Sequence, residues 1–216
     1  MVERILEPEY MDTSAEAESY EAMDHTAANR AVVDRFFELG GGGGHTLDLG
    51  TGPGDIPVAI AMAKQAARIV AVDAARTMLA LAQRKVARAG LAARIALQCA
   101  DVKCLPFADR SFDAVLSNTI LHHIPEPVAM LREAARVLRP GGVLLIRDLY
   151  RPDDEQQAWA LVDRHAAGAT EPQRRLLFDS LHAALTLDEA RDAVRAAGLD
   201  ARVEMSSDRH YSIESR

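Results

Sequence analysis

The 216-residue chain is 49% hydrophobic and 26% charged, proportions of a globular fold long enough to bury a sizeable core. Its formal charge of −7 argues against a general binder of phosphate backbones, which needs a net basic face to release counterions. Two cysteines, Cys99 and Cys104, are too few for a disulfide framework and lack zinc-ligand spacing, so reduced thiols in a cytoplasmic protein without a metal site are expected. No apolar run approaches the ~20 residues that span a bilayer, and the acid-rich N-terminus has no signal-peptide pattern.

Residues 13–39 read as an acidic, then apolar helical stretch, capped by Thr13 or Ser14, with Ala28, Val32, Phe36 and Leu39 at helical spacing. It ends at Gly40–Gly44. Five consecutive glycines disfavour helix and strand alike, which predicts a flexible joint. Residues 1–44 are thus expected to form an N-terminal helical lid, hinged on a main fold over 45–216. From His45 onward, apolar runs at 45–49, 68–73, 93–99, 112–118 and 142–149 read as strands. They alternate with amphipathic helical patterns near 55–66, 75–90, 127–138 and 186–197, the alternation of a parallel sheet with helices on both faces. Pro57 fits the first turn of its helix, and Arg139-Pro140-Gly141-Gly142 is expected to stop the helix before the fifth strand. Residues 152–184 are helical but less regular, and 201–215 read as two short strands about a Ser-Ser-Asp turn.

In a parallel sheet, ligands bind at the carboxyl ends of strands, where strand order reverses. Asp48 with Gly50, Gly52 and Gly54 ends the first strand, Asp73 the second, Asp101 follows the third and Asn118 closes the fourth. Asp73 lies 19 residues past Gly54, near the ~20-residue offset at which a carboxylate reaches a ribose diol. The Gly-x-Gly-x-Gly spacing departs from the Gly-x-Gly-x-x-Gly pyrophosphate fingerprint, and no phosphate loop is present. A cofactor carrying adenosine but no phosphate fits this pattern.

Asp48-Leu-Gly-Thr-Gly-Pro-Gly54, Val72-Asp73-Ala-Ala-Arg-Thr-Met78, Ala100-Asp101-Val102, Ser111-Phe-Asp-Ala-Val-Leu-Ser-Asn118, Leu121-His-His123 and Arg136-Val-Leu-Arg-Pro-Gly-Gly142 stand in order over about residues 45–150. Together they resemble the class I S-adenosylmethionine-dependent methyltransferases, most of all the branch holding the ubiquinone and menaquinone C-methyltransferases and many small-molecule methyltransferases. The resemblance implies a Rossmann-like, doubly wound, mostly parallel seven-stranded sheet with an antiparallel last strand, and S-adenosylmethionine as cofactor. It implies that Gly50, Thr51, Gly52 and Gly54 pass under the methionine part, with Asp48 helping to hold the amino group. Asp73 with the adjoining Ala74 would take the ribose hydroxyls, and Asp101 the adenine amine. Val102 and Met78 would pack on the ring, although Met78 also fits a core position, and Asn118 would lie near the methionine ammonium.

A sulfonium methyl is already electrophilic, so alignment and exclusion of water are the main demands. A general base is needed only for a protonated acceptor. His122 and His123 follow Asn118, where the family borders the methyl group; one of them orients the acceptor or takes its proton, or else one packs and the other caps a turn before Pro125. Tyr20, Asp24 and His25 on the expected lid, Asp148, Tyr150 and Arg151 at the end of strand five, and Arg209, His210 and Tyr211 in the tail are candidates for the acceptor pocket. A small-molecule acceptor is expected, without nucleic acid, in a monomer or homodimer. RNA or protein methylation, and a non-catalytic sensor that only binds the cofactor, are the competing readings.

Overall fold

The computed structural model describes residues 2–7, 12–13 and 26–215. Its elements in chain order are α1 (Thr26–Glu38), β1 (His45–Leu49), α2 (Asp55–Ala63), β2 (Arg68–Asp73), α3 (Arg76–Arg88), β3 (Ile95–Cys99) and β4 (Phe112–Asn118). A short 3-10 turn at Leu121–His123 leads to α4 (Pro127–Val137), β5 (Leu138–Leu149), α5 (Glu155–His165), α6 (Glu171–Ala183), α7 (Leu187–Ala197), β6 (Arg202–Met205) and β7 (His210–Ser215).

The strands form one seven-stranded sheet in the order β3-β2-β1-β4-β5-β7-β6. β1 to β5 pair in parallel, and β7 runs antiparallel to both β5 and β6. The order reverses between β1 and β4, so the crevice there opens at the carboxyl ends of both strands.

Period-two alternation sends neighbouring side chains to opposite faces, and both faces are covered. Leu47, Leu49, Val115, Leu144 and Ile146 pack with Met130 and Leu131 of α4 and Val194 of α7. Ile69, Ala71, Leu116 and Leu145 pack with Val32 and Phe36 of α1, Ile56 and Ile60 of α2 and Val86 of α3. Two-sided burial is why these strands read as continuous apolar runs. Beyond β5, α5 and α6 pair over the strand end, with Trp159 stacked on Phe178 at 4.4 Å between ring centroids.

Several boundaries move. β3 starts at Ile95 rather than residue 93, and α2 ends at Ala63. α4 stops at Val137, before Arg139-Pro140, because Leu138 is already extended. β5 begins there and pairs Leu138 with Phe112 across a register shift, where a proline costs no ladder bond. The less regular stretch resolves into α5 and α6.

The glycine run is a packed turn rather than a joint. Gly40 N–H donates to Phe37 O at 3.0 Å and Gly41 N–H to Phe36 O at 2.9 Å, and a Cβ on Gly41 would collide with the Phe36 ring. α1 itself is fixed by its apolar face and by Arg35, which holds Glu214 of β7 through Nε at 3.0 Å and Nη2 at 2.7 Å. α1, within the expected lid, is therefore packed on the core. Ser14, Tyr20, Asp24 and His25 lie outside the described residues.

Candidate active site

Beyond β1 the backbone turns sharply into α2. Thr51 N–H donates to Val72 O at 2.9 Å and Gly52 N–H to Asp73 Oδ2 at 2.8 Å, which lashes the loop to the end of β2. Asp73 Oδ1 accepts from Ala75 N–H at 2.9 Å. Gly52 sits at φ +53° with nothing within 4 Å of where a Cβ would stand, so its left-handed backbone leaves open space above the loop. Gly54, at φ +84°, has the opposite reason for being glycine: a Cβ would stand 2.9 Å from Ala82 Cβ of α3.

The loop borders an open cavity at the switch point, where a parallel sheet of this order takes its ligand. Gly50, Thr51, Gly52, Asp73, Ala74, Met78, Asp101, Val102 and Asn118 line it, all of them expected from the sequence. Asp101 also organises its own turn, its Oδ1 accepting from Lys103 N–H at 2.8 Å and lying 3.0 Å from Lys103 Nζ. Met78 is both a lining residue and 5% exposed, so the core and cavity readings hold together.

Gly54 and Asp48 do not line the cavity. Gly54 serves helix packing, and Asp48 is buried beneath the loop. Asp48 Oδ2 and Thr51 Oγ1 are buried without a hydrogen-bond partner among the described residues, an arrangement that costs free energy until a donor arrives. Burial raises the Asp48 carboxyl to about 7, against the pull of the Thr51 hydroxyl and with the push of the Asp73 charge. Asp73 too is raised by burial, opposed by the Ala75 and Gly52 amides. A buried carboxylate with an unpartnered oxygen at Asp48, and the Asp73 carboxylate lining the cavity above it, fit a ligand that brings an ammonium and hydroxyl donors.

A second open cavity adjoins the first. The two share Asn29, Asn118, Thr119 and His123 as a common wall. Thr119 has φ +54°, a left-handed conformation that costs a β-branched residue ~1–2 kcal/mol. It is pinned by its N–H to Arg147 O at 2.8 Å and by Asn118 Nδ2 donating to its Oγ1 at 3.2 Å. α6 supplies the far wall through Gln173, Leu176, Leu177 and Ser180, and the tail supplies Arg209 and His210.

The two histidines part company. His122 is buried, its Nδ1 2.7 Å from Asp148 Oδ1, and lines only the second cavity. Asp148 also accepts from the Leu121 and Leu149 amides at 2.6 and 2.7 Å. Burial pulls the His122 pKa down, but the charge and hydrogen bond of Asp148, with Glu7, outweigh it and leave the value raised. His123 lines both cavities, and its Nδ1 is 3.5 Å from Glu7 Oε2. Asp148 is thus a support for His122 rather than a wall of the acceptor pocket, because its side chain turns into the core. Tyr150, bridged to Leu185, and Arg151, held to Glu189 Oε1 at 2.5 Å, line neither cavity. Tyr211 is fully buried.

Sequence reading missed the N-terminal segment. Arg4 Nε donates to Ala183 O at 2.8 Å, and its Nη2 to Ile124 O at 3.0 Å and His122 O at 3.2 Å. Ser180 Oγ donates to Glu7 Oε2 at 3.0 Å, and Asp12 Oδ1 accepts from Thr77 N–H at 3.0 Å at the start of α3. Glu7, His122 and His123 bring three ligand-type atoms within 4.8 Å of one another, a grouping no local spacing announces. Asn29 and Thr119 carried no signal either; Arg147 was missed too, although a charge inside an apolar strand is a signal that could have found it.

A family model described as a methyltransferase domain matches residues 47–146. The 27-O-demethylrifamycin SV methyltransferase of Amycolatopsis mediterranei is 31% identical over 159 residues, covering 73% of this chain and 54% of that protein. The ubiquinone/menaquinone biosynthesis C-methyltransferase UbiE of Geobacter sulfurreducens is 36% identical over 111 residues, covering 51% and 43%. The chain spans about half the length of the curated relatives it matches. The crystal structure of a SAM dependent methyltransferase from Aquifex aeolicus shares the fold, with a TM-score of 0.69 at 18% identity over 94% of this chain and 97% of that one. The matched stretch is the one that builds β1, the glycine loop and the carboxylates around the first cavity, and the chain belongs to the class I S-adenosylmethionine-dependent methyltransferases.

Proposed function

We propose that the protein transfers the methyl group of S-adenosylmethionine to a small-molecule acceptor by in-line displacement. The observation that carries this reading is the shared wall of Asn29, Asn118, Thr119 and His123. It sets the cavity lined by the glycine loop and Asp73 edge to edge with a second, partly apolar one, so that two molecules can meet there.

When bound, the cofactor supplies a methyl that needs no further activation. Gly50, Thr51 and Gly52 would lie under its amino-acid part, with Asp48 reaching the ammonium directly or through water. The two Asp73 oxygens retain lone pairs for the ribose hydroxyls beyond the amides they already accept. Asp101 would receive the adenine amine, and Val102, Ala74 and Met78 would pack on the nucleoside. Asn118 stands at the seam, and His123, facing both cavities with Glu7 beside it, orients the acceptor or takes its proton.

Glu7 accepts from Ser180, which lines the second cavity, and Asp12 accepts from Thr77, next to Met78 of the first. This supports residues 1–44 as an N-terminal extension that helps enclose the site, ahead of a methyltransferase domain over 45–216. The acidic chain and the modest second cavity favour a small acceptor over nucleic acid, in the cytoplasm. Among the described residues no helix is long and apolar enough to cross a membrane.

The test is calorimetric titration with S-adenosylhomocysteine, then methyl-transfer assays from labelled S-adenosylmethionine across a panel of small acceptors. Saturable binding and a labelled product are expected. Binding with no product from any acceptor would favour a cofactor sensor.

A further inference from the structure

The second cavity holds two guanidinium groups that the methyl-transfer reading leaves unused. Arg147 on β5 is 7% exposed, and Arg209, half-buried, precedes β7; both line this cavity. Among the described residues neither forms an ion pair. Arg147 instead donates to Asn118 Oδ1 at 3.3 Å and meets His210 Nδ1 at 2.8 Å.

The nearby carboxylates are already engaged. Asp148 is taken by His122 and the Leu121 and Leu149 amides. Asp208 pairs with Arg164 at 2.7 Å and His165 at 2.9 Å, and Glu7 accepts from Ser180. Burial, with Arg209 nearby, brings the Arg147 pKa down to about 10. Burial and the same two arginines hold His210 near 2. His210 is thus neutral; with Nδ1 accepting from Arg147, its Nε2 carries the proton as a further donor.

A buried cation is stable when paired, and two that repel each other across an apolar-walled cavity are poorly satisfied alone. Leu149, beside Arg147 on β5, and Leu176 and Leu177 of α6 would take a hydrocarbon body. We propose that Arg147 and Arg209 bind an oxyanion of the acceptor, a carboxylate or a phosphate on an apolar body, with the methyl-accepting atom toward the Asn118–Thr119 seam. This rests on the second cavity being the acceptor site.

Calorimetry on the full chain tests it, with and without S-adenosylhomocysteine, using benzoate and phenyl phosphate against neutral benzamide and benzyl alcohol as probes. At least one anion is expected to bind tenfold or more tightly than the neutral probes, and the better of the two identifies the oxyanion. Arg209→Gln should weaken that binding about tenfold while changing S-adenosylhomocysteine affinity less than twofold; Arg147→Lys, which keeps the charge, should retain part of it. Neutral probes binding as well as the anions, no anion binding at millimolar concentration, or an unaffected Arg209→Gln variant would overturn the proposal. Loss of S-adenosylhomocysteine binding alone would instead strike at the methyl-transfer reading, since anion binding is measured without it.

Discussion

His122 Nδ1 stands 2.7 Å from Asp148 Oδ1 in a pair with almost no solvent exposure. Removing one member leaves the other buried without its partner, so His122→Ala is expected to destabilise the fold by about 3–5 kcal/mol in chemical denaturation. Because the folded pKa of His122 is raised, the stabilisation is full below its ordinary value of 6.5 and is lost as pH rises through the folded value. The stability gap between wild type and His122→Gln should narrow above pH 6.5. A gap that widens there would contradict the assignment.

His123, not His122, faces the cofactor cavity. For an acceptor protonated at working pH, His123→Ala is expected to lower kcat by about 10²-fold or more with a smaller change in KM. Glu7→Gln should shift the pH profile of kcat. An acceptor already ionised should show little effect of either substitution, and turnover and pH dependence unchanged for every acceptor would remove His123 from the mechanism.

The loop glycines separate binding from stability. Gly52→Val would place a side chain into the open space above the loop and is expected to weaken S-adenosylhomocysteine affinity at least tenfold. Gly54→Ala meets Ala82 of α3 and should instead lower the melting temperature, with a cost of about 1–3 kcal/mol. Asp73→Ala frees the Gly52 amide as well as the ribose site, so it should weaken binding at least as much as the Gly52 variant. Equal affinities across the set would show that the ligand does not lie on this loop.

Glu214, held by Arg35 and Arg202, anchors α1 to β7. The Arg35 hydrogen bonds draw its pKa to about 2 against burial. A depressed carboxyl stabilises above its ordinary value of 4.5 and loses that contribution as pH falls toward 2. Glu214→Gln is expected to cost about 1–3 kcal/mol at neutral pH and to flatten the acid limb of the stability profile. An acid limb identical to wild type would remove this pair from the account.

β1, β2 and β4 were legible to the residue because each is an apolar run closed by Asp, Gly or Asn at a strand end. The cofactor cavity was legible for the same reason: parallel topology gathers strand ends, and sequence spacing reports strand ends. Side-chain direction was not. Asp148 sits where a ligand contact is expected but turns into the interior to hold His122, and only the three-dimensional packing decides that. The packing of the glycine run was not legible, because composition alone does not show that Phe36 and Phe37 fill the space where side chains of residues 41 and 42 would stand. The second cavity is assembled from α1, the turn after β4, β5, α6 and the tail, far apart in the chain, so no single local pattern could announce it.

The most direct test is a crystal structure of the protein with S-adenosylhomocysteine. The ribose should lie on Asp73, the adenine between Asp101, Val102 and Met78, and the sulfur should face the Asn118–Thr119 seam toward the second cavity. Adenosine placed away from Asp73 and Asp101, or a sulfur turned from that seam, would contradict the account.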